Sequence, residues 1–463
     1  MWLALALATA VGAALRLPFL AHQSLWLDEI YTREILREAS LSGVWRHVRA
    51  TESTPPLFYA LGWLVHARGA AAMRAIPALA LTAAVPVGYL AFRRLVGSGA
   101  ALAAAAILAV NPMLVWYSTD ARSYGLFVLA ALLTVWAFSA VLERASTRRF
   151  GLWAGASVAC VWTHYFGVFV VAGEAVVLLA TLPGARRQTL SWATLVGACL
   201  IPLLPLLASQ SGDERAGFIA GVPLRTRVSE AVRQFAMGPN VPRAWLEAAG
   251  LAILAVAFAG GLWISWGSSM RARGLLALAA IAFLTPLSMS LLGIDDHFYA
   301  RNVIAVLPLV AALAAPALLR GRAVPLAAYL LLATVASVWV ASDWRYEQVD
   351  WKDAIARVQS IEPNAPLFAV TPGEAAPVVA TYLDRPPATA PGPLAQRAWV
   401  LMEPVRAAGQ RALGPAPVPH LPGFTAERTV ELHGFQLVLE SAAQPTRIAP
   451  GELAGATVFA GAG

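Results

Sequence analysis

The feature that most constrains this chain is a series of apolar segments, each close to the length that crosses a bilayer. A transmembrane helix needs roughly 20 consecutive, mostly apolar residues. Segments of that kind stand at 2–20, 73–92, 99–116, 123–142, 151–166, 167–182, 189–208, 244–266, 274–292, 302–319 and 324–341. Only 13% of the residues are charged, against about 25% in an ordinary soluble domain. The expected fold is therefore an all-α polytopic membrane protein with about 11 transmembrane helices. The nearly continuous stretch 151–182 is divided at His164–Gly167. The first segment, Trp2–Leu20, has no basic leader and no convincing cleavage site, so it reads as a retained anchor. Cys160 and Cys199 fall inside apolar segments and read as small core residues, not as a disulfide or a metal site.

The net charge of +8 does not point to nucleic acid. Much of it sits in alternate short loops, as Arg93 and Arg94, then Arg144, Arg148 and Arg149, then Arg186 and Arg187, then Arg271 and Arg273, then Arg320 and Arg322. The positive-inside rule makes these loops cytoplasmic. The N-terminus is then cytoplasmic and everything after about residue 342 is extracytoplasmic. The opposite loops hold nearly every unusual polar residue: 21–72, 111–124, His164–Tyr165, 209–243 and 295–302. A transporter tends to place ionisable groups near the bilayer midplane, within broken helices. One polar face fits an enzyme working at the outer leaflet.

In the first of those loops, S-L-W-L-D-E-I-Y at Ser24–Tyr31 places two carboxylates, Asp28 and Glu29, at a membrane edge. They read either as reactive groups or as an acidic cap of an amphipathic surface helix over Glu29–Ala39. Then comes T-P-P-L-F-Y at Thr54–Tyr59, with Leu57–Ala67 read as an interfacial or re-entrant helix. Further on stand N-P-M-L-V-W-Y-S-T-D-A-R-S-Y-G-L at Asn111–Leu126, T-H-Y-F-G at Thr163–Gly167 and F-Y-A-R-N-V-I-A-V-L-P at Phe298–Pro308.

Taken in that order, these motifs resemble the bacterial branch of the dolichyl-phosphate-mannose protein mannosyltransferase family, glycosyltransferase family 39. Its members are C-type glycosyltransferases of GT-C fold, and the resemblance covers roughly 1–342. It implies transfer of a sugar from a polyprenyl-phosphate carrier to an extracytoplasmic acceptor (protein, lipid or glycan) at the inner, cytoplasmic membrane. The acid of the family's first external loop falls on Asp28, which would be the general base. Where the family often has Glu in Y-S-x-E-A-R, this chain has Asp120, and where it often has H-P-P, this chain has T-P-P with Thr54.

The reaction needs a base for the acceptor, support for an oxocarbenium-like centre and neutralisation of the leaving phosphate. A carboxylate at a membrane edge serves the first need, and attack without a covalent intermediate implies inversion. Glu29 orients the acceptor or binds a cation. Arginine suits the phosphate. Arg301 leads, with a snorkelling anchor as its structural alternative, and Arg122 follows, with an ion pair to Asp120 as its alternative. Asp120, Tyr124, His164, Tyr165 and Tyr299 complete the substrate-binding set, His164 reading equally as a buried, hydrogen-bonded histidine. A divalent cation is left open: Asp295, Asp296 and His297 have the right chemistry, but adjacent side chains rarely reach one ion.

The loop 209–243 carries Arg225, Arg227 and Arg233 against Asp213, Glu214 and Glu230, with a helical pattern over Val228–Met237, and reads as a lid or as a packing loop. From residue 343 the composition changes, and 343–463 reads as a small extracytoplasmic α/β domain. It has a helix at Asp350–Ser360, a strand at Pro366–Val370, a helix at Pro377–Leu383, a strand at Ala398–Met402 and a hairpin around His433–Gly434. The segment 385–395 reads as loose, and the tail past Ala442 as poorly ordered. Two rival functions remain, a polyprenyl-linked glycan transporter or flippase and a structural envelope component. The first would place ionisable groups deep in several helices, where Glu174 is the clearest case.

Overall fold

The computed structural model describes the chain except for residues 212–216, 372–374, 407–409, 454 and 462–463. Asp213 and Glu214 lie outside the described residues. Contacts divide the chain into two units, one of Met1–Leu20, Thr32–Pro239 and Arg243–Val338, the other of Ala21–Tyr31, Asn240–Pro242 and Trp339–Gly463. Ala21–Tyr31 thus groups with the C-terminal residues, whereas the sequence reading kept 21–72 together within 1–342.

The first unit is a helical bundle. Each of the eleven apolar segments contains a helix, but among the described residues seven are long and apolar enough to cross a membrane. These are Trp2–Phe19, Ala70–Phe92, Tyr124–Glu143, Pro183–Ser211, Ala244–Trp266, Met270–Leu291 and Val324–Ser342. Ser98–Val110, Gly167–Thr181 and Ile304–Leu318 are apolar but shorter, and Thr147–Thr163 begins with two arginines. One reason for the shortening is chemical. A proline lacks the N–H to continue a helix and clashes with the preceding turn, so Ser98–Val110 stops at Asn111 and a new short helix, Pro112–Trp116, begins.

Small residues let these helices approach closely, as expected where lipid and side chain are equally apolar. A Cβ on Gly125 would lie 2.7 Å from Pro77, and one on Gly261 would overlap the Leu313 carbonyl oxygen. Buried polar side chains then tie the bundle. Arg16 donates from Nη1 to the carbonyls of Gly12 (2.8 Å) and Ala109 (2.6 Å) and from Nη2 to that of Leu108 (2.9 Å). It thereby covers the last-turn carbonyls of Ser98–Val110, where a cation also meets the negative end of the helix dipole. Glu174 accepts from Trp153 Nε1 at 2.7 Å and from Thr134 Oγ1 at 2.9 Å, joining three helices through both carboxyl oxygens.

The region expected to lie on the outer surface contains more helix than the sequence pattern showed. Leu27–Leu36, Leu41–Thr51 and Leu57–Leu64 are helical, as is Leu224–Met237. Leu41–Thr51 had not been foreseen; Ser40 caps it by accepting the Gly43 N–H at 3.1 Å.

The second unit holds a five-stranded sheet with strands β1 Leu367–Val370, β2 Leu394–Met402, β3 Thr425–Leu432, β4 Phe435–Arg447 and β5 Ala456–Phe459, in the order β3-β4-β2-β1-β5. Among the described strands only β1 and β2 pair in parallel, and helix Ala376–Leu383 lies between them in the chain. The hairpin β3–β4 turns at His433 (φ +48°) and Gly434 (φ +80°), the two positive φ angles that a tight hairpin matching strand twist requires. The expectation of a poorly ordered tail is corrected: β4 runs to Arg447, and β5 pairs along the free edge of β1. Phe459 and Val458 are buried there, so these apolar residues gain both backbone partners and a core. The segment read as loose at 385–395 likewise ends in the first residues of β2. Helix Trp351–Ile361 starts at Asp350, whose Oδ1 accepts from the Asp353 N–H (3.4 Å) and from Ser24 Oγ (2.8 Å). The Leu25 N–H donates to the Tyr382 hydroxyl at 2.7 Å, so two adjacent residues fasten 21–31 within this unit.

Two carboxyls in the second unit are pushed up to about 7, Glu347 by burial, then by Asp350 and Asp343, and Glu403 by burial. Such groups bind more protons folded than unfolded, so their contribution to stability falls as pH rises from about 4.5 to about 7. In Glu347→Gln and Glu403→Gln, the difference between unfolding midpoints at pH 5 and pH 8 is expected to move in the direction of greater relative stability at pH 8. Identical pH profiles in wild type and both variants would refute this. In the bundle, Gly261→Ala drives a methyl into backbone that cannot step aside and is expected to cost at least about 1–3 kcal/mol. A lowered thermal midpoint in detergent would show it.

Candidate active site

The site grows from the turn that follows Pro112. Asn111 is fully buried and caps the short helix, its Oδ1 accepting the N–H groups of Met113 (3.1 Å) and Leu114 (3.2 Å). Its Nδ2 donates to the Phe235 carbonyl (2.9 Å) and to the Tyr329 hydroxyl (3.1 Å), and that hydroxyl donates to the Ala236 carbonyl (2.8 Å). With its amide satisfied on every side, Asn111 fixes where the chain leaves the bundle and turns through Asp120 and Arg122 to restart at Tyr124.

Arg122 is held by a carboxylate that sequence reading missed. Its Nη1 and Nη2 donate to Glu52 Oε1 (2.7 Å) and Oε2 (2.5 Å), and both side chains are nearly inaccessible to solvent. Nη1 also reaches Thr32 Oγ1 at 3.5 Å, and the guanidinium lies 6.0 Å from the Tyr59 ring centre. The Tyr59 hydroxyl lies 3.3 Å from Thr54 Oγ1, so the threonine that stands in place of the family's histidine serves a local hydrogen bond. Asp120 is buried, and its carbonyl accepts the Arg122 N–H at 2.7 Å. Nothing in the local pattern E-S-T-P-P marks Glu52 as the partner of a residue 70 positions away.

Arg301 has different company. Its guanidinium carbon lies 5.3 Å from the Phe218 ring centre, 5.5 Å from Tyr299 and 5.8 Å from Tyr124. Three aromatic faces hold the cation in place by attraction to their ring quadrupoles. Phe218 comes from 209–243, the segment read as a lid or packing loop. Tyr124 continues the cluster to Tyr117, at 5.1 Å, and to His164, at 5.8 Å. Burial pushes the Tyr117 hydroxyl well up, so it stays protonated.

His164 lies in the turn between Thr147–Thr163 and Gly167–Thr181 and is only 4% exposed. Its ring stacks on Phe127, with centres 4.7 Å apart and planes 13° apart, and Nδ1 accepts the Phe166 N–H at 3.3 Å. Burial, then the positive charges of Arg301 and Arg122, push its pKa down to about 3, so the ring is neutral at physiological pH. Tyr165 points elsewhere, donating to Gln210 Oε1 at 2.7 Å, and Gln210 in turn donates to the carbonyls of Val48 and Thr54.

Of the residues singled out from sequence, Tyr124, His164, Tyr299 and Arg301 thus share one aromatic and cationic cluster, while Arg122 and Tyr165 serve as braces beside it. Tyr124 opens a 20-residue helix whose far end, Glu143, pairs with Arg94 (3.3 Å) and Arg149 (3.1 Å). At 1.5 Å per residue the helix separates this cluster from the arginine loops by about 30 Å. Asp28 and Glu29 belong to the second unit and occupy the first turn of Leu27–Leu36. Asp28 is partly exposed; Glu29 is buried, and its Oε2 accepts the Trp26 N–H at 3.4 Å, closing the start of the helix in the manner of a capping box.

The triplet Asp295–His297 does not converge on one point. Asp296 receives Arg227 Nη2 on both oxygens, at 2.7 and 3.0 Å, while His297 Nδ1 bonds Asp295, which raises the imidazole pKa. A carboxylate already paired with a buried arginine is a poor cation ligand, so these residues do not fit a metal site. Among the described residues, Asp350, Asp353 and His433 are the group whose ligand atoms lie within 4.8 Å of one another. Asp350 is there occupied as a helix cap and by His433 Nδ1 at 2.9 Å.

Against known proteins, the family described as dolichyl-phosphate-mannose-protein mannosyltransferase matches residues 53–208, the span that holds Arg122, Tyr124, His164 and Tyr165. The chain resembles this family of GT-C glycosyltransferases. Among curated proteins none matches the chain. ArnT from Cupriavidus metallidurans, crystallised with undecaprenyl phosphate, superposes with a TM-score of 0.57 at 15% identity over 94% of this chain and 97% of ArnT. The Archaeoglobus fulgidus oligosaccharyltransferase in complex with Zn and sulfate gives 0.51 at 15% identity, over 82% of this chain and 61% of that one. Archaeal oligosaccharyltransferase AglB from Archaeoglobus fulgidus, in complex with an inhibitory peptide and a dolichol-phosphate, gives 0.52 at 13%, over 82% and 63%. The chain spans about three fifths of the length of these archaeal proteins. The fold is GT-C: a multi-pass helical membrane part with a small C-terminal sheet domain.

Breaking the buried fork from one side tests its role. Glu52→Ala strands the Arg122 guanidinium and is expected to cost about 3–5 kcal/mol, whereas Glu52→Leu with Arg122→Met is expected to recover most of the loss. Thermal midpoints of the two variants, measured in one detergent, give the comparison; a single variant as stable as wild type would contradict the assignment.

Proposed function

We propose that this chain is a polyprenyl-phosphate-sugar-dependent glycosyltransferase of the cytoplasmic membrane, acting on an extracytoplasmic acceptor. The observation that carries the reading is Arg301, a cation seated on three aromatic rings at the end of the bundle remote from the arginine loops. Such a cluster suits a lipid-borne phosphate, because the guanidinium offers charge and forked donors while the rings keep it in position at a membrane edge. The GT-C fold, shared over nearly the whole length of a protein crystallised with undecaprenyl phosphate, supports the same reading. By the positive-inside rule the arginine loops are cytoplasmic and the cluster faces outward.

In this mechanism Asp28 takes the proton from the acceptor nucleophile. The acceptor forms its bond to the anomeric carbon as the bond from that carbon to the phosphate oxygen breaks. The electron pair leaves with the polyprenyl phosphate, whose charge Arg301 meets. A single displacement inverts the anomeric centre. Glu29 acts through the helix: by closing its first turn it holds Asp28 in place. Tyr124 and Tyr299 position the guanidinium. No step requires a metal ion.

A transporter reading would draw on a deep ionisable group such as Glu174. Both of its oxygens are engaged by Trp153 and Thr134, which accounts for its burial as a structural tie.

A panel of radiolabelled polyprenyl-phosphate sugars, offered to detergent-solubilised protein with membrane extract as acceptor, tests the reading. Asp28→Asn is expected to lower transfer by about 10²–10⁴-fold while leaving binding of undecaprenyl phosphate intact. Full transfer by a folded Asp28→Asn protein would remove Asp28 from the mechanism. Failure of the wild type to turn over any donor that it binds would favour transport.

A further inference from the structure

We propose that His164 is a phosphate-recognition residue: its Nε2–H donates to an oxygen of the polyprenyl phosphate beside Arg301. The inference rests on the glycosyltransferase reading and assigns a task that motif and fold leave open.

A neutral imidazole has one N–H and one acceptor nitrogen. Nδ1 accepts the Phe166 N–H, so the proton resides on Nε2. Nε2 is buried and, among the described residues, has no hydrogen-bond partner. The ring cannot readily turn to find one, because it is stacked on Phe127 and edged by Tyr124 and Phe166. A buried donor without an acceptor is costly, and most such groups in folded proteins are paired. The missing partner must be an oxygen or nitrogen with a free lone pair.

Charge selects among such partners. Arg301 and Arg122 are near enough to depress the basicity of His164, so their potential reaches the ring. A neutral carbonyl or hydroxyl gains little in that field, whereas an anionic oxygen is attracted to it. Tyr124 packs against the His164 ring, with centres 5.8 Å apart, and against the Arg301 guanidinium, 5.8 Å from its ring centre, so imidazole and guanidinium share one aromatic neighbour. Neutrality also has a use. An imidazolium so close to two guanidinium groups would be repelled, while a neutral ring adds a donor without adding charge. In T-H-Y-F-G, the histidine supplies the donor, and the Phe166 N–H settles which nitrogen carries it.

The test is the affinity of the full-length, detergent-solubilised protein for undecaprenyl phosphate without sugar. His164→Phe keeps a ring against Phe127 and removes the donor; His164→Gln restores a side-chain N–H. His164→Phe is expected to weaken binding by about tenfold, as for a lost hydrogen bond to a charged group, and His164→Gln to stay within about threefold of wild type. Should His164→Phe fail to fold, His164→Leu is read in its place. Wild-type affinity in a folded His164→Phe or His164→Leu protein overturns the proposal. So does equal weakening in His164→Gln, which would mean that packing of the ring matters and its donor does not. A loss seen only with a sugar-bearing donor would assign the N–H to the sugar and overturn the phosphate assignment. If the wild type itself does not bind undecaprenyl phosphate, the glycosyltransferase reading falls first, and this outcome is visible before any variant is made.

Discussion

Lipid offers no hydrogen bonds, and that single constraint shapes the bundle. Every backbone N–H and C=O in the hydrocarbon must find its partner within the chain, so the apolar segments become helices and chemistry is left to their ends. Several polar side chains that enter the interior find backbone or side-chain partners there. Arg16 covers the open carbonyls at the end of Ser98–Val110, and Glu174 gathers the hydroxyl of Thr134 and the indole of Trp153. Asn111 closes a helix start on one side and two carbonyl-linked contacts on the other. These are costs of burial offset locally, and their result is a frame whose ends stay in place.

On that frame, the two arginines of the candidate site divide the work. Arg122 is committed to Glu52 and braces the segment before Thr54 against the turn at Asp120. A buried pair of this kind contributes less to net stability than its Coulomb attraction suggests, yet removing either partner is costly, so it behaves as a geometric lock. Arg301 is held by three ring faces, which position its guanidinium. His164 adds a donor whose proton is placed by the backbone of its own turn. The lipid phosphate proposed for this site, anionic at one point and apolar next to it, would meet a cation, aromatic surfaces and a neutral donor.

The fold was legible because its signal is local. Segment length and composition predict helices, and each of the eleven segments contains one; the shorter lengths of several follow from prolines and caps such as Asn111–Pro112. In the second unit, alternation and the His433–Gly434 turn located the hairpin, since a pair of positive φ angles has a recognisable chemistry. What eluded the pattern was β5. Its four residues, Ala456–Phe459, are too few to show a period, and they become a strand because β1 offers them an unpaired edge. The helix Leu41–Thr51 escaped for a related reason: it is strongly amphipathic but neither long nor apolar enough to attract a hydropathy search.

By itself, the sequence determined the class of protein, the alternation of its arginine-rich loops and the short polar stretches from which the candidate site is drawn, because these depend on the composition and spacing of neighbouring residues. Tertiary structure decided how those residues are used. Asp120 stands two positions from Arg122, yet the fork closes on Glu52; Asp295–His297 resembles a metal triplet, yet Asp296 turns to Arg227. It also left His164 with one nitrogen satisfied and, among the described residues, no partner for the other. Buried charges and hydrogen-bonding groups must be matched wherever the chain is brought together, and which segments meet is a property of the packed bundle that no local pattern contains.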